Sequence, residues 1–494
     1  MQLSPFHIVG IVASILAIEA VGILSAKRVK TGSDWAHSSG QANSWVAGGI
    51  ILGTLIGGQS TIGTSQLAFS FGFSSWWFTL GAAIGCLVLA FGYAPALRRS
   101  GCTTVTEVTR KTFGKRLEAI SALLCAIGIF LSVVAQVLSL SAVLTTLLPV
   151  SFTAAAIFSA ATMALFVLFG GVWSAGLGGV VKMVLLLFSS LLGGIVVLML
   201  SNGFNGLFAN VREVLALTGS TETFQPHYCN LFARGVGKDL GSALSVILGV
   251  ICTQSYAQGI WAAKDTATAR KGACLAALVT IPVGVACSFI GMYMRGHYLT
   301  PEQLQSIDST LTNGYGVIET TSQAFPLFAV NHMPAIFGGI LLGTMIVTAI
   351  VGGAGLTLGA TTILTRDVVG NIAPTFVNER RVLITQRIIT FVLLFGAAVA
   401  AMAVSGSFIN DIGFLSMGLR VATVFLPLTL ALFAPQKIGS RRMFWCVLLS
   451  TASLFVAKIF PLGNLEPTYV ALAVGITCCF LVPQKRTAHQ EKVG

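Results

Sequence analysis

Long apolar runs separated by short polar ones organise this chain from end to end. A membrane span needs about 20 apolar residues, and the sequence offers such runs repeatedly: Phe6 to Ala26, Trp45 to Phe73, Trp76 to Leu97, Leu123 to Leu148, and onward to Tyr469–Val482. The pattern predicts an all-α integral membrane protein with about 13 transmembrane helices, numbered here as segments 0 to 12. It divides 1–494 as a single transmembrane domain, with segment 0 over 6–26, five-segment blocks over 43–201 and 239–434, and two C-terminal helices over 440–483. The longest polar stretches, Asn202–Lys238 and Leu299–Ala324, are too short to build a core of their own.

Two of the apolar runs carry polar and small residues at their middle. Segment 1 places Gly48–Gly49, Gly53, Gly57–Gly58, Gln59, Ser60, Thr61, Gly63, Thr64 and Ser65 there, and segment 6 reads Gly249-Val-Ile-Cys-Thr-Gln-Ser-Tyr-Ala-Gln258. Backbone groups released from helical bonding are costly in hydrocarbon, so an interrupted helix survives only where it lines a protein cavity or a ligand. Close helix packing through small residues is the other reading of such glycines. The glutamines beside them favour a broken helix, because packing alone does not need them. Segments 1 and 6 lie five apart, the spacing of inverted repeats formed by helices 1–5 and 6–10.

Only 9% of the residues are Asp, Glu, Lys or Arg, and 55% are hydrophobic, against about 25% charged in a soluble domain. Segment 0 lacks a basic start and carries Lys27, Arg28 and Lys30 after it, so it reads as a retained helix with its N-terminus outside. Alternation then puts the loops Arg98–Arg116, Lys264–Lys271, Arg366–Arg381 and Lys437–Arg442, and the tail from Lys485, on the cytoplasmic side. The opposite loops hold Arg212, Arg234, Lys238 and Arg295. Topology therefore accounts for the net charge of +13 without a nucleic-acid partner. The expected location is a cell membrane, plasma or inner, crossed many times. Ten cysteines without CxxC or Cys/His spacing give no metal or disulfide framework, and the sequence leaves the oligomeric state open.

Gly57-Gly-Gln-Ser-Thr-Ile-Gly-Thr-Ser-Gln-Leu-Ala-Phe69, Ala135-Gln136, Gly170-Gly171-Val-Trp173, Gln258 followed by Ala262-Ala-Lys-Asp265, and Thr365-Arg-Asp367 resemble, in order and spacing, the sodium:solute symporter family. The resemblance runs from about residue 30 to about residue 435. It implies a LeuT-type 5+5 inverted repeat, one extra N-terminal and two extra C-terminal helices, and a solute bound at the midplane between helices 1, 3, 6, 8 and 10. Members usually hold sodium through main-chain carbonyls and two adjacent hydroxyl side chains on helix 8. Here that pair falls on Gly352–Gly353, or on Val351–Gly352 if the alignment slips by one. Many members place a second sodium on a helix-5 Trp-Thr-Asp-x-x-Gln motif. The matching stretch, Leu177-Gly-Gly179-Val-Val-Lys182, turns the Asp into Gly179 and the Gln into Lys182. An acidic helix-1 position of some members is Gln59. Three sodium-associated features are missing together.

Charges at bilayer depth cost about 2.5–3.5 kcal/mol on insertion scales and are usually functional. Glu19 lies outside the repeats, Asp239 and Asp411 sit near outer helix ends, and Arg387 and Lys458 lie near helix ends where snorkelling suffices. Lys182 and Arg420 remain as deep cations. Lys182 stands where the resemblance places the sodium region, so its ammonium would replace the ion and hold helices 1, 5 and 8 together. The resemblance extends to proton-coupled amino-acid transporters of the same fold that place a helix-5 lysine there, and a buried lysine can release its proton where an arginine cannot. Snorkelling to the cytoplasmic face is the alternative. Arg420 is about 15 Å into helix 10, with a fork suited to carboxylate, sulfonate or phosphate. Helix-break carbonyls and a chloride are its other possible partners.

These residues predict a secondary transporter working by alternating access, which takes up a small anionic or zwitterionic, carboxylate-bearing solute. The expected coupling is to protons or to none, rather than to sodium. Candidate solute-binding residues are Gln59, Ser60, Thr61, Gln136, Thr253, Gln254, Ser255, Tyr256, Gln258 and Arg420, each of which can equally serve as interhelical glue. Candidate coupling residues are Lys182, Gly57, Gly179, Gly352 and Gly353. No cofactor is called for. Sodium coupling through a rearranged site and a transporter-like membrane sensor are the alternatives. His7, His37, His227, His297, His332 and His489 lie near ends or in loops, so no catalytic constellation forms.

Overall fold

A computed structural model describes residues 3–26, 40–219, 224–307, 312, 314–372, 379–435 and 438–481. The charge markers Lys27, Arg28, Lys30 and Lys437 and the tail from Lys485 lie outside them. Helix α1 is Pro5–Ala26, and segment 1 is α2 (Ser44–Leu55) and α3 (Thr64–Phe71) joined through a π-helical turn at Gln59–Gly63. Segment 2 is α4 (Trp77–Val88), a π-turn, and α5 (Ala94–Ser100). A short amphipathic helix, α6 (Val105–Phe113), leads into α7 (Lys115–Leu147). Then come α8 (Phe152–Leu200), α9 (Val236–Cys252), α10 (Gln254–Ala262) and α11 (Thr266–Arg295). The chain ends with α12 (Ala335–Ile363), α13 (Glu379–Ala403), α14 (Ile409–Arg420), α15 (Leu426–Phe433), α16 (Ser440–Ile459) and α17 (Pro467–Leu481).

Among the described residues eight helices are long and apolar enough to cross a membrane, nine if α9 and α10 are one bent span, and four apolar helices are shorter. That test by itself does not return thirteen. Helical backbone is continuous from Phe152 to Leu200, and Gly170-Gly171-Val-Trp173 falls within it. Two apolar stretches, Phe152–Leu168 and Gly176–Leu200, divide it. Met163 and Lys182 both reach the middle of α12, at Gly353 and Thr348, while Gly193 approaches Leu341 near its start.

Both predicted interruptions are present, and tertiary contacts explain them. Helical backbone is interrupted at Ile56, which is extended. A Cβ on Gly57 would lie 2.1 Å from the Gln136 amide, and one on Gly58 would lie 2.1 Å from Ser139 Cβ, so only glycine lets α7 come this close. The released Gly58 N–H donates to Gln136 Oε1 at 2.7 Å, which meets the requirement that freed backbone groups be satisfied. The second break is at Thr253, where α9 and α10 meet at a 47° bend.

Hydrocarbon gives helices no hydrophobic reason to associate, so packing relies on close backbone approach. α1 docks on α12 in this way: a Cβ on Gly10 would meet Ile336 O at 2.6 Å, and one on Gly343 would meet Ser14 Cβ at 2.7 Å. Ser14 Oγ adds a bond to Ile340 O at 3.3 Å. Outward faces carry bare apolar side chains, as in α13, where Ile388, Phe391, Phe395 and Val399 are more than half exposed.

At the C-terminal end of α11, His332 Nδ1 and Nε2 each lie 3.2 Å from a tyrosine hydroxyl, those of Tyr293 and Tyr298. Burial, and then the nearby His297, lower its pKa to about 4. A histidine held neutral in the fold contributes full stability above its unfolded pKa of about 6.5. That contribution is lost as pH falls from there toward 4. Amides around 293–299 and 328–333 are therefore expected to exchange faster with deuterium over that interval, and His332→Gln should remove the acid-induced part of the change.

Candidate functional site

Lys182 is fully buried. Its Nζ donates to Gly53 O at 2.7 Å on α2 and to Thr348 O at 3.0 Å on α12, so the side chain turns into the bundle and does not snorkel outward. One carbonyl oxygen from each of two helices thus accepts from a single ammonium, which ties α8 to α2 and α12.

The glycines at 179, 352 and 353 serve close approach. A Cβ on Gly352 would lie 3.3 Å from Gly57 Cα, and one on Gly353 would lie 2.5 Å from Met163 Sδ. Gly179 is tighter still, its Cβ position 2.0 Å from Gly49 O. Substituting Gly179 by alanine should force α8 away from α2 and pull Lys182 from Gly53 O. The expected result is a lower melting midpoint in detergent together with lost uptake; unchanged melting would show that the helices separate without strain.

The candidate solute residues divide by their partners. Gln59, Gln136 and Gln258 are buried, and the Nε2 of each donates to no protein atom among the described residues. Ser60, Thr61 and Thr253 return their hydroxyls to carbonyls at the breaks, those of Leu55 (3.3 Å), Gly57 (3.3 Å) and Gly249 (2.6 Å). Ser255 Oγ reaches across to Gly355 O on α12 at 3.1 Å. Gln254 is directed elsewhere. Its Oε1 accepts from Val105 N at 2.9 Å and its Nε2 donates to Thr103 O at 3.0 Å, so both ends of the amide tie α10 to the start of α6.

Arg420 is wholly buried, and its partners are hydroxyls with one carbonyl. Nε donates to Ser416 O at 3.2 Å, one terminal nitrogen to Thr253 Oγ1 at 2.6 Å, and the other to Ser416 Oγ at 2.6 Å and to Ser132 Oγ. The fork thus links α14, α7 and the segment-6 break, and Tyr256 stands beside it. No carboxylate is within ion-pair distance among the described residues.

Polar clasps lie on either side of this layer. At one end, Arg234 Nε is 2.7 Å from Asp239 and a terminal nitrogen is 3.1 Å from Asp411, with the guanidinium 5.2 Å from the Phe414 ring centre. On the basic side, Arg98 donates to the Ile260, Ala263 and Lys264 carbonyls at the end of α10, while the buried Asp367 accepts from Thr104 at 2.7 Å and from Thr106. Sequence patterns treat Arg234 and Arg98 as topology markers, because Asp411 lies 177 residues from the first and the Ile260 carbonyl 162 residues from the second. A cavity of about 420 Å³ opens among Leu138, Thr145, Phe152, Gln323, Ser407 and Ile409. Leu138 is two residues along α7 from Gln136.

Thus two broken helices, packed on each other where Gly259 meets Ile51 and both in contact with α12 through Gly355 and Gly359, carry a buried polar layer with a clasp at each end. The sequence model of the sodium:solute symporter family matches residues 37–449, most of the chain. This chain belongs to the sodium:solute symporter family. The symporter-family chain also resembles solved structures in its fold. A Na+-coupled sialic acid symporter in a substrate-bound outward-open state matches over 99% of this chain and 100% of its own, at 14% identity and a TM-score of 0.74. Mhp1, a nucleobase-cation-symport-1 family transporter in a closed conformation with bromovinylhydantoin bound, matches over 92% and 94% at 14% identity and a TM-score of 0.54. A manganese transporter from Eremococcus coleocola matches over 92% and 94% at 13% identity and a TM-score of 0.50. The fold is of the LeuT type, and the protein is a multi-pass secondary transporter rather than an enzyme.

Proposed function

We propose that this transporter carries a small anionic or zwitterionic organic solute into the cell without sodium, with Lys182 in place of the ion. The observation that carries this reading is the Lys182 ammonium bonded to Gly53 O and Thr348 O. A fixed charge at that position supplies the attraction between α2, α8 and α12 that a bound cation would otherwise supply. Because a lysine can lose and regain its proton where an arginine cannot, the same contact couples helix position to a proton.

The solute class follows from the donors. Gln59, Gln136 and Gln258 each present an amide N–H pair with no protein acceptor, and a carboxylate accepts several such bonds. Arg420 adds positive charge behind Thr253 at the second break. In this reading the basic face is cytoplasmic, and the cavity ending at Leu138 is the outer approach.

Uptake into proteoliposomes, with sodium replaced by choline and with or without an inward proton gradient, tests the coupling. Candidate amino acids, monocarboxylates, dicarboxylates and sulfonates are screened first by thermal shift. Uptake in choline that rises with the gradient is the expected result; strict dependence on sodium would overturn the proposal.

A further inference from the structure

On the basic face, away from the transport layer, a groove of about 680 Å³ runs between the starts of α7 and α16. Its walls carry Lys115 and Arg116 from one helix and Arg441 and Trp445 from the other. All four side chains are exposed. Its floor is apolar, because Phe113 and Leu117 are buried against Met443 and Val447. Among the described residues no carboxylate pairs with any of the three cations: Glu118, the acid nearest in sequence, is buried and bonded to Asn371. Three like charges are thus gathered around one depression without an ion pair among the described residues.

The helical register shows what such a depression would accept. Residues at i, i+7 and i+11 share one face of a helix, so Arg116, Leu123 and Ile127 form a single stripe along α7. Leu123 and Ile127 are 43% and 40% exposed. On α16, Arg441, Trp445 and Leu449 follow one another at four-residue spacing, with the last two 50% and 44% exposed. Each helix therefore presents a cation at its end and bare apolar side chains beyond it, running into the span. A soluble anion would use the first feature and not the second. A molecule with an anionic head and hydrocarbon tails uses both, and the Trp445 ring suits the boundary between head and tail.

We propose that this groove binds the headgroup of an anionic phospholipid of the surrounding leaflet, with Lys115, Arg116 and Arg441 on the phosphate and the acyl chains along the Leu123–Ile127 and Trp445–Leu449 stripes. The lipid would hold the start of α7, the helix that carries Gln136 and Ser132 into the transport layer, against the α16–α17 pair.

Native mass spectrometry of the full-length protein tests this with phosphatidylglycerol and phosphatidylcholine of matched chains as probes. The wild-type protein should retain phosphatidylglycerol in preference. The variant K115Q/R116Q/R441Q should lose that retention by about tenfold or more, with an unchanged melting midpoint because all three side chains are exposed. The control R270Q/K271Q, which removes two exposed cations elsewhere on the basic face, should retain the lipid as wild type does. Equal retention by the triple variant, or equal loss in the control, would overturn the site. So would displacement of phosphatidylglycerol by inorganic phosphate at matched concentration, which would make the groove a phosphate site without a lipid.

Discussion

Replacing Lys182 by alanine is expected to reduce uptake by about a hundredfold or more and to flatten what remains of its pH dependence. Two charge-assisted bonds, to Gly53 O and Thr348 O, disappear. Each is worth about 1.5–3 kcal/mol, and about 1.4 kcal/mol corresponds to a factor of ten. Sodium should not rescue the variant, because Gly352 and Gly353 carry no hydroxyls and are packed against Gly57 and Met163. Proteoliposome uptake across a pH series, with and without sodium, reads both effects. An unaltered pH profile would show that the proton is carried elsewhere. Sodium-stimulated uptake by the variant would show that the lysine occupies a working sodium site.

Removing the acceptors around Arg420 should destabilise the protein more than removing the arginine itself. In a Ser132→Ala/Ser416→Ala variant one guanidinium nitrogen loses both hydroxyl partners while the charge stays buried, at a cost of about 1.5–3 kcal/mol per bond. Adding Arg420→Leu removes the charge, and a buried ion replaced by an apolar side chain of similar reach is often neutral to stability. The double variant should therefore melt several degrees below wild type in detergent, and the triple variant should recover. Uptake separates the roles further: the recovered triple variant is expected to have lost anionic uptake, and retained uptake would make the arginine a structural device alone. A double variant that melts like wild type would mean that water or backbone takes over the hydroxyls' place.

Part of this architecture is legible in the amino-acid sequence. Glycines and glutamines inside otherwise apolar runs mark both helix breaks, because hydrocarbon tolerates such residues only with a reason to be there. Lys182 and Arg420 stand out for the same cause. Direction is not legible. Gln254 and Gln258 lie four residues apart on α10, and one is occupied by the Thr103–Val105 loop while the other has a free amide donor. The difference comes from which loop reaches the first turn of that helix. Arg234 reads as a topology marker along the chain, yet in the fold Asp239 and Asp411 close around it, the second 177 residues away.

By itself, then, the sequence determined solvent, helical class and the two places where helices must break, because each follows from local composition set against the cost of exposing backbone to hydrocarbon. Tertiary structure decided which polar atoms are used. The partners of Lys182 lie 129 and 166 residues away, and that distance is closed only when glycines at 49, 57, 179 and 352 let four helices approach closely. A hydrogen bond depends on position to a fraction of an ångström, and no local pattern along a chain encodes that.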